Sequence, residues 1–403
     1  MVATAAHYTD SRYQTPAGYG YDGVVRVKVD GFYATGALLY NGLAVLTTAH
    51  LFNGLNFHDT SVSFDSLSGQ REIKARSVLF HPQYDVLSTN NDLAIVWLSN
   101  PAPSDADRYT LYRNHDEYNQ IFNLVGYGIP GTGSNGVDET YSGPKIRLQA
   151  FNQFEADAAQ IKAQQSGYRS WNPEPGTQLV ADFDNGLVEN DALYHLLDMP
   201  GLGLGADEGM ISPGDSGGPA FINGQIAGVA SYIARLSTSS ADPDIDDQVN
   251  SSFGELGFWQ RVSAYQQWID QSLRNEYSNA PTQADEVELT VMEGGPGEIT
   301  TTYFLLEFTG IRAHEAEWVS VDYATRDGTA TAGLDYVPVS GTLVLYPGEN
   351  HAVIPVEIIG DDIPEPDETF YLDVFNAVGG SFGEGVERLT AMRTIIDTDS
   401  FWV

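Results

Sequence analysis

The 403-residue chain has no cysteine. Disulfides, thiol chemistry and cysteine-based zinc sites are thereby excluded. The absence does not argue for a cytoplasmic protein, because disulfides form only where a compartment helps them. Basic residues are scarce: 19 Lys and Arg stand against 55 Asp and Glu, for a net charge of −36. Such a surface repels phosphate backbones and anionic lipid, so no nucleic acid partner is expected. No run of residues is apolar for long enough to span a bilayer, so no membrane insertion is expected either. None of the histidines is paired at metal-ligand spacing. The opening residues, Met1 to His7, lack both a basic n-region and an apolar h-region, and no Sec-type signal is legible.

Apolar residues make up 42%, an ordinary globular share, and the length suffices for two domains. Short runs of Val, Ile, Tyr, Phe and Thr recur between Gly and Pro, which predicts mostly β structure. Val24 to Val29 alternates; Ala37 to Tyr40 and Leu43 to Leu46 read as buried strands, with Asn41-Gly42 as their hairpin turn. Residues 1–20 read as an extended arm, and 128–210 as long surface loops with short strands. Helices are expected over Phe154–Ala163, with Phe154, Ala158 and Ile161 on one face, and over Ser263–Leu273, with Ser263 as N-cap. A first domain is expected over 1–275, a linker over 276–283 and a second domain over 284–403. From 285 onward there are 23 acids and four Arg, on seven or so short strands that fit a β-sandwich.

The hexapeptide Gly214-Asp215-Ser216-Gly217-Gly218-Pro219 carries the most chemistry. A serine hydroxyl is a poor nucleophile until a base removes its proton. Glycines beside it let backbone N–H groups turn inward to meet an oxyanion. Upstream, Thr48-Ala49-His50 follows a strand, and Asn91-Asp92-Leu93-Ala94-Ile95 sets an acid before one. The order His, Asp, Ser differs from the subtilisin and α/β-hydrolase orders.

These segments resemble the trypsin/chymotrypsin family over about residues 20–275. Leu124-Val125-Gly126-Tyr127-Gly128, Ile226 to Tyr232, and Gly257-Phe258-Trp259 before the last helix match it too. The resemblance implies two β-barrels followed by a C-terminal helix. His50 would be the general base and Asp92 its orienter. Ser216 would be the nucleophile, with an oxyanion hole from the N–H groups of Gly214 and Ser216. There are departures. Asp92 and Ser216 lie 124 residues apart, so extra loops are expected. The family's disulfides are absent, so packing or bound ions must hold those loops. No Ile-Val-Gly-Gly start is present. Asp215 would pair either with an amine freed by a cut after Arg12, or with backbone donors or Lys/Arg. Met210 stands where the family carries its pocket-base residue, and Ser231, Tyr232 and Ile233 match the pocket-lining strand. Met210 cannot pair with Arg or Lys, so small or medium apolar residues are expected before the scissile bond, unless loop insertions move Met210 away.

Residues Ala324 to Tyr336, Ser340 to Leu343, Pro347-Gly348-Glu349 and Gly360 to Phe370 resemble Calx-β domains over about 285–399. The resemblance implies calcium, held by carboxylates at one tip. The candidates are Glu293, Asp335, Asp361, Asp362, Glu365, Glu368, Asp397 and Asp399. The alternative is a sandwich with solvated acidic turns. The chain is thus expected to be a serine endopeptidase acting on protein or peptide substrates, with no cofactor required for the chemistry. The alternative is a calcium-dependent binding or adhesion protein on a non-catalytic protease scaffold. A secreted bacterial protein is expected. Its end, Asp399 to Val403, resembles the C-terminal signals of type I exporters, and a lost N-terminal signal is the other route.

Overall fold

The computed structural model describes residues 2–165, 170–312, 314 and 317–399. Phe401 to Val403, to which the export reading points, lie outside the described residues. The chain forms two compact units, residues 1–39 with 43–266, and 40–42 with 267–403. It is mostly β with few helices.

The first unit contains a closed barrel of Val24–Val29, Phe32–Leu38, Ala44–Thr47, Ala94–Leu98, Gly69–Phe80 and Ser61–Ser66, with the last strand pairing back to the first. Alternation builds it: Val25, Val27 and Val29 face a core with Leu38, Val45, Val62, Phe64, Ile73 and Val96. Gly42, at φ +66°, turns the hairpin between the second and third strands.

A second, seven-stranded sheet runs in the order Leu148–Gln153, Ile121–Gly126, Pro219–Ile222, Gln225–Ala234, Leu256–Arg261, Gln178–Asp182 and Ala156–Asp157. Its two outermost strands are separated by only Phe154 and Glu155 in the chain. The sheet must therefore curl until its margins meet, which makes the second barrel of a trypsin-like double barrel. Phe122 stacks on Phe154 inside it at 3.9 Å between centroids, and Trp259 meets Phe122 edge-on.

Four expectations need correction. The first residues are not an outlying arm. Val2, Ala3 and Tyr13 are buried, and Ala3–Thr4 is a strand between Gly209–Met210 and Gly131–Thr132. Residues 128–210 are not only surface loops, since Leu148–Gln153 and Gln178–Asp182 are core strands. The helix expected from Phe154 starts at Ala158, because Asp157 caps it in a reciprocal capping box with Gln160. Phe154 packs in the barrel core, apart from Ala158 and Ile161. The last helix spans Val262–Asn275, so Ser263 lies inside it, and its hydroxyl donates to Glu117 at 2.5 Å.

In place of disulfides, buried ion pairs tie distant segments of this unit. Arg147 Nη2 meets Asp22 Oδ1 at 2.5 Å, and Arg261 Nε meets Glu117 Oε2 at 2.9 Å.

The second unit is a sandwich. Ile299–Glu307 pairs with His351–Ile359, facing a five-stranded sheet of Thr290–Met292, Arg388–Ile396, Glu368–Val378, Val319–Asp327 and Ser340–Leu345. Phe304, Tyr336, Ile354, Val356, Phe370 and Leu372 fill the space between. Thr290–Met292, Glu368–Val378, His351–Ile359 and Arg388–Ile396 each end or begin beside an acid named above.

Candidate active site

His50 opens a single 3₁₀ turn, His50–Phe52, with Thr48 and Ala49 between it and the strand Ala44–Thr47. Asn91, at φ +57°, reverses the chain before Ala94–Leu98 and delivers Asp92 into full burial. Asp92 Oδ1 accepts from the His50 backbone N–H at 2.8 Å, and Oδ2 lies 2.7 Å from His50 Nδ1. A carboxylate only accepts, so the ring proton sits on Nδ1 and leaves Nε2 an acceptor. His50 Nε2 is 2.9 Å from Ser216 Oγ.

Gly214 has φ +98°, a conformation that favours glycine. Around it, the N–H of Asp215 donates to Ser212 O, that of Gly217 to Ala230 O and that of Gly218 to Asp215 O. Among the described residues, the N–H groups of Gly214 and Ser216 donate to no protein acceptor. Asp215 is buried. Its Oδ1 accepts from Gly128 N at 2.8 Å, and its Oδ2 from Ser212 N at 2.9 Å and Ser212 Oγ at 3.0 Å. Burial pushes its carboxyl up, and these donors oppose the shift. Backbone donors to Asp215 are therefore in place. Arg12 sits on the surface and donates to Asp207 at 3.1 Å.

At the sandwich tip, Glu293, Asp361 and Asp399 bring one carboxylate oxygen each within 4.8 Å of one another, and so do Asp335, Glu365 and Glu368. Asp362 and Asp397 join neither group. Asp397 instead accepts from the backbone N–H groups of Glu365, at 3.1 Å, and Asp399, at 2.9 Å. Burial, then repulsion from Asp335, raises the Glu368 carboxyl; burial likewise raises Glu293, Glu365 and Asp399.

The family model for Trypsin matches residues 11–156, and that for the Calx-beta domain matches residues 301–399. The chain joins a trypsin-type domain to a Calx-beta domain. Over 91 residues it is 42% identical to the sodium/calcium exchanger Calx of Drosophila melanogaster, covering 22% of this chain and 9% of that one. Over 92 residues it is 41% identical to sodium/calcium exchanger 2 of Homo sapiens, covering 20% and 10%. The chain therefore spans only a small part of these relatives' length. Among solved structures, neuropsin, a serine protease expressed in the limbic system of mouse brain, is 16% identical with a TM-score of 0.46, covering 65% of this chain and 98% of that one.

Two features of the trypsin-type domain escaped the sequence reading. The first is Thr35, on the strand Phe32–Leu38. Its N–H donates to Ser216 O and its hydroxyl to Gly214 O, both at 2.9 Å, and the hydroxyl accepts from Tyr127 N at 3.1 Å. Thr47 Oγ1 in turn donates to Thr35 O at 2.8 Å. No local motif announces these contacts, because most run through backbone atoms. The second is what Ser231 does. Its strand slips register between Ala230 and Tyr232, so Ser231 is the extra residue of a bulge. A bulge re-aims its side chain, and Ser231 Oγ donates to Asp92 Oδ2 at 2.5 Å.

Met210 is fully buried, and a Cβ added to Gly257 would lie 2.4 Å from its Sδ. Gly257 pairs with Ile233 across the sheet, so Met210, Gly257 and Ile233 meet in one place. Tyr232 stacks on Phe258 at 4.3 Å, donates to Gln178 Oε1 at 2.8 Å and accepts from Trp171 Nε1 at 3.1 Å. Those contacts hold its ring in place.

The trypsin-type domain also holds a buried acidic group: Asp182, Asp184 and Asp191, with Glu155 and Glu208 beside them. Burial first, then neighbouring carboxylates, raises Glu155 and Asp184, and Glu208 is pushed up to about 7. The alternation Asp182-Phe183-Asp184 at a strand end was the signal available in the sequence.

Proposed function

We propose that the chain is a secreted serine endopeptidase, with His50, Asp92 and Ser216 as its catalytic triad. The observation that carries this reading is the continuous relay from buried Asp92 through His50 to the Ser216 hydroxyl, beside two N–H groups that have no acceptor among the described residues. Ser216 Oγ attacks the scissile carbonyl while His50 Nε2 takes its proton. The resulting oxyanion accepts from the N–H groups of Gly214 and Ser216. His50 then protonates the leaving amine, and the acyl-enzyme forms. Water, deprotonated by His50, attacks the acyl carbon, and His50 returns that proton to the departing Ser216 Oγ as the acid is released. Asp92 holds the Nδ1–H tautomer throughout, and Ser231 and the His50 N–H hold Asp92.

Met210 and Ile233 support a preference for small or medium apolar residues before the scissile bond, since no carboxylate among these wall residues could meet a bound Arg. In the Calx-beta domain, the two three-carboxylate groups support calcium binding at the tip. The chemistry itself needs no cofactor.

A fluorophosphonate probe tests the reading, because it labels only an activated serine. Labelling that Ser216→Ala abolishes, together with casein hydrolysis lost in Ser216→Ala and His50→Ala at unchanged melting temperature, is the expected result. Well-folded parent protein that takes up no probe would instead leave the protease fold as a scaffold for binding.

A further inference from the structure

We propose that Asp182, Asp184 and Asp191, with Glu155 and Glu208 around them, form a calcium site inside the trypsin-type domain, separate from the acids of the Calx-beta tip. One carboxylate oxygen from each of the three aspartates lies within 4.8 Å of the others. Calcium binds oxygens at about 2.3–2.6 Å, so oxygens on opposite sides of one ion lie roughly 5 Å apart. The three therefore fit around a single ion.

Three of the carboxylates are aimed by backbone N–H groups. Asp182 Oδ2 accepts from Leu193 N at 2.8 Å. Asp191 caps the helix Ala192–Leu197, accepting from Tyr194 N at 2.7 Å, and its other oxygen accepts from Gly201 N at 2.9 Å. Glu208 Oε1 accepts from Asp184 N at 2.7 Å, and Glu155 hydrogen-bonds Asp182. Asp184 is the exception that points to a ligand. It is only 3% exposed, yet among the described residues its Oδ1 has no hydrogen-bond partner. A buried carboxylate oxygen left bare among other carboxylates is costly unless a cation meets it. The neighbouring charges that act on Glu155, Asp184 and Glu208 are all carboxylates.

Room is kept by glycine. A Cβ at Gly203 would lie 1.8 Å from Glu208 Oε2 and 2.6 Å from Asp184 Cβ. The donor set is oxygen only and holds no imidazole, which selects a hard cation over zinc.

The ion would do structural work where a disulfide cannot. It would join the end of Gln178–Asp182, the N-terminus of Ala192–Leu197 and the approach to Gly209–Met210, which leads through Ser212 to Ser216. The inference does not depend on catalysis, since its readout is binding.

The test uses the full chain, with the tip acids silenced by Glu293→Gln, Asp335→Asn, Asp361→Asn and Glu368→Gln. Titration with calcium chloride in a calorimeter should leave one binding event, and adding Asp184→Asn should abolish it. Without calcium, Asp184→Asn should melt at or above its parent, because it removes repulsion. With millimolar calcium, only the parent should gain melting temperature. Where the multiple variant fails to fold, native mass spectrometry compares Asp184→Asn alone with the unaltered chain, and one bound calcium fewer is expected. An unchanged calcium count, or an unchanged binding event, would overturn the site. Magnesium binding as tight as calcium would overturn the assignment to calcium.

Discussion

Thr35 and Ser216 belong to different barrels of the trypsin-type domain, yet the N–H of Thr35 donates to the Ser216 carbonyl at 2.9 Å. The Thr35 hydroxyl takes the Gly214 carbonyl at the same distance. One residue of the first barrel thus grips both ends of the tripeptide whose N–H groups would face the oxyanion.

Thr35→Val keeps the shape and removes the hydroxyl. Losing a donor in the oxyanion hole itself costs about 100- to 1000-fold in kcat, so losing one that only positions it should cost about 10-fold. KM should barely change, and Thr35→Ser should restore the rate. Steady-state kinetics on a chromogenic peptide would check this, and a KM effect with constant kcat would refute the positioning role.

Peptides with Ala, Val or Leu before the scissile bond should be cut faster than the Arg peptide, by about 10-fold or more in kcat/KM. Burying a guanidinium against Met210 and Ile233 leaves it without a counter-ion. A peptide-library assay that returned a preference for Arg would show that another surface receives that side chain.

Calcium at about 100 times its Kd should stabilise the Calx-beta domain by about 2.7 kcal/mol, since only the folded state assembles the ligands. The measurement belongs in a chain carrying Asp184→Asn, so that the tip alone responds. Asp335→Asn with Asp361→Asn should remove the rise in melting temperature. Identical melting in calcium and in chelator would mean that the tip acids are simply solvated.

Asp22→Ala should destabilise the trypsin-type domain by about 3–5 kcal/mol in urea unfolding, because it strands the buried Arg147 guanidinium. Asp22→Ala with Arg147→Met should recover most of that loss. Equal destabilisation in the single and double variants would locate the cost in packing and not in the unpaired charge.

Sequence reading reached the parts of this molecule that chemistry fixes by residue type. His50, Asp92 and Ser216 lie in short motifs, and the structure brings their side chains together; the tip acids lie at recognisable strand ends. It missed contacts made by backbone atoms across long separations, such as Thr35 on Gly214 and Ser216. It also missed the Ser231 bulge, which is a register slip and carries no composition. Over 128–210, which reads as surface loops with short strands, buried polar side chains disguise core strands. Gln178 is fully buried and donates to Asn90 Oδ1 at 2.9 Å, and Asn152 donates to the Asp182 and Gly209 carbonyls. Phe154 matches the periodicity of the helix that starts at Ala158, although it belongs to the two-residue link between sheet margins.

That link has a consequence for how the protein survives outside protection. A margin of unpaired backbone groups is a template on which other chains add strands and aggregate. Here Leu148–Gln153 and Ala156–Asp157 are folded round until they follow one another, and the outer side of the former is bridged by Gln14 at Leu148 and by Glu208 at Phe151. The second barrel therefore offers little to a misfolded neighbour, and its amides should be among the slowest in the chain to exchange with deuterium.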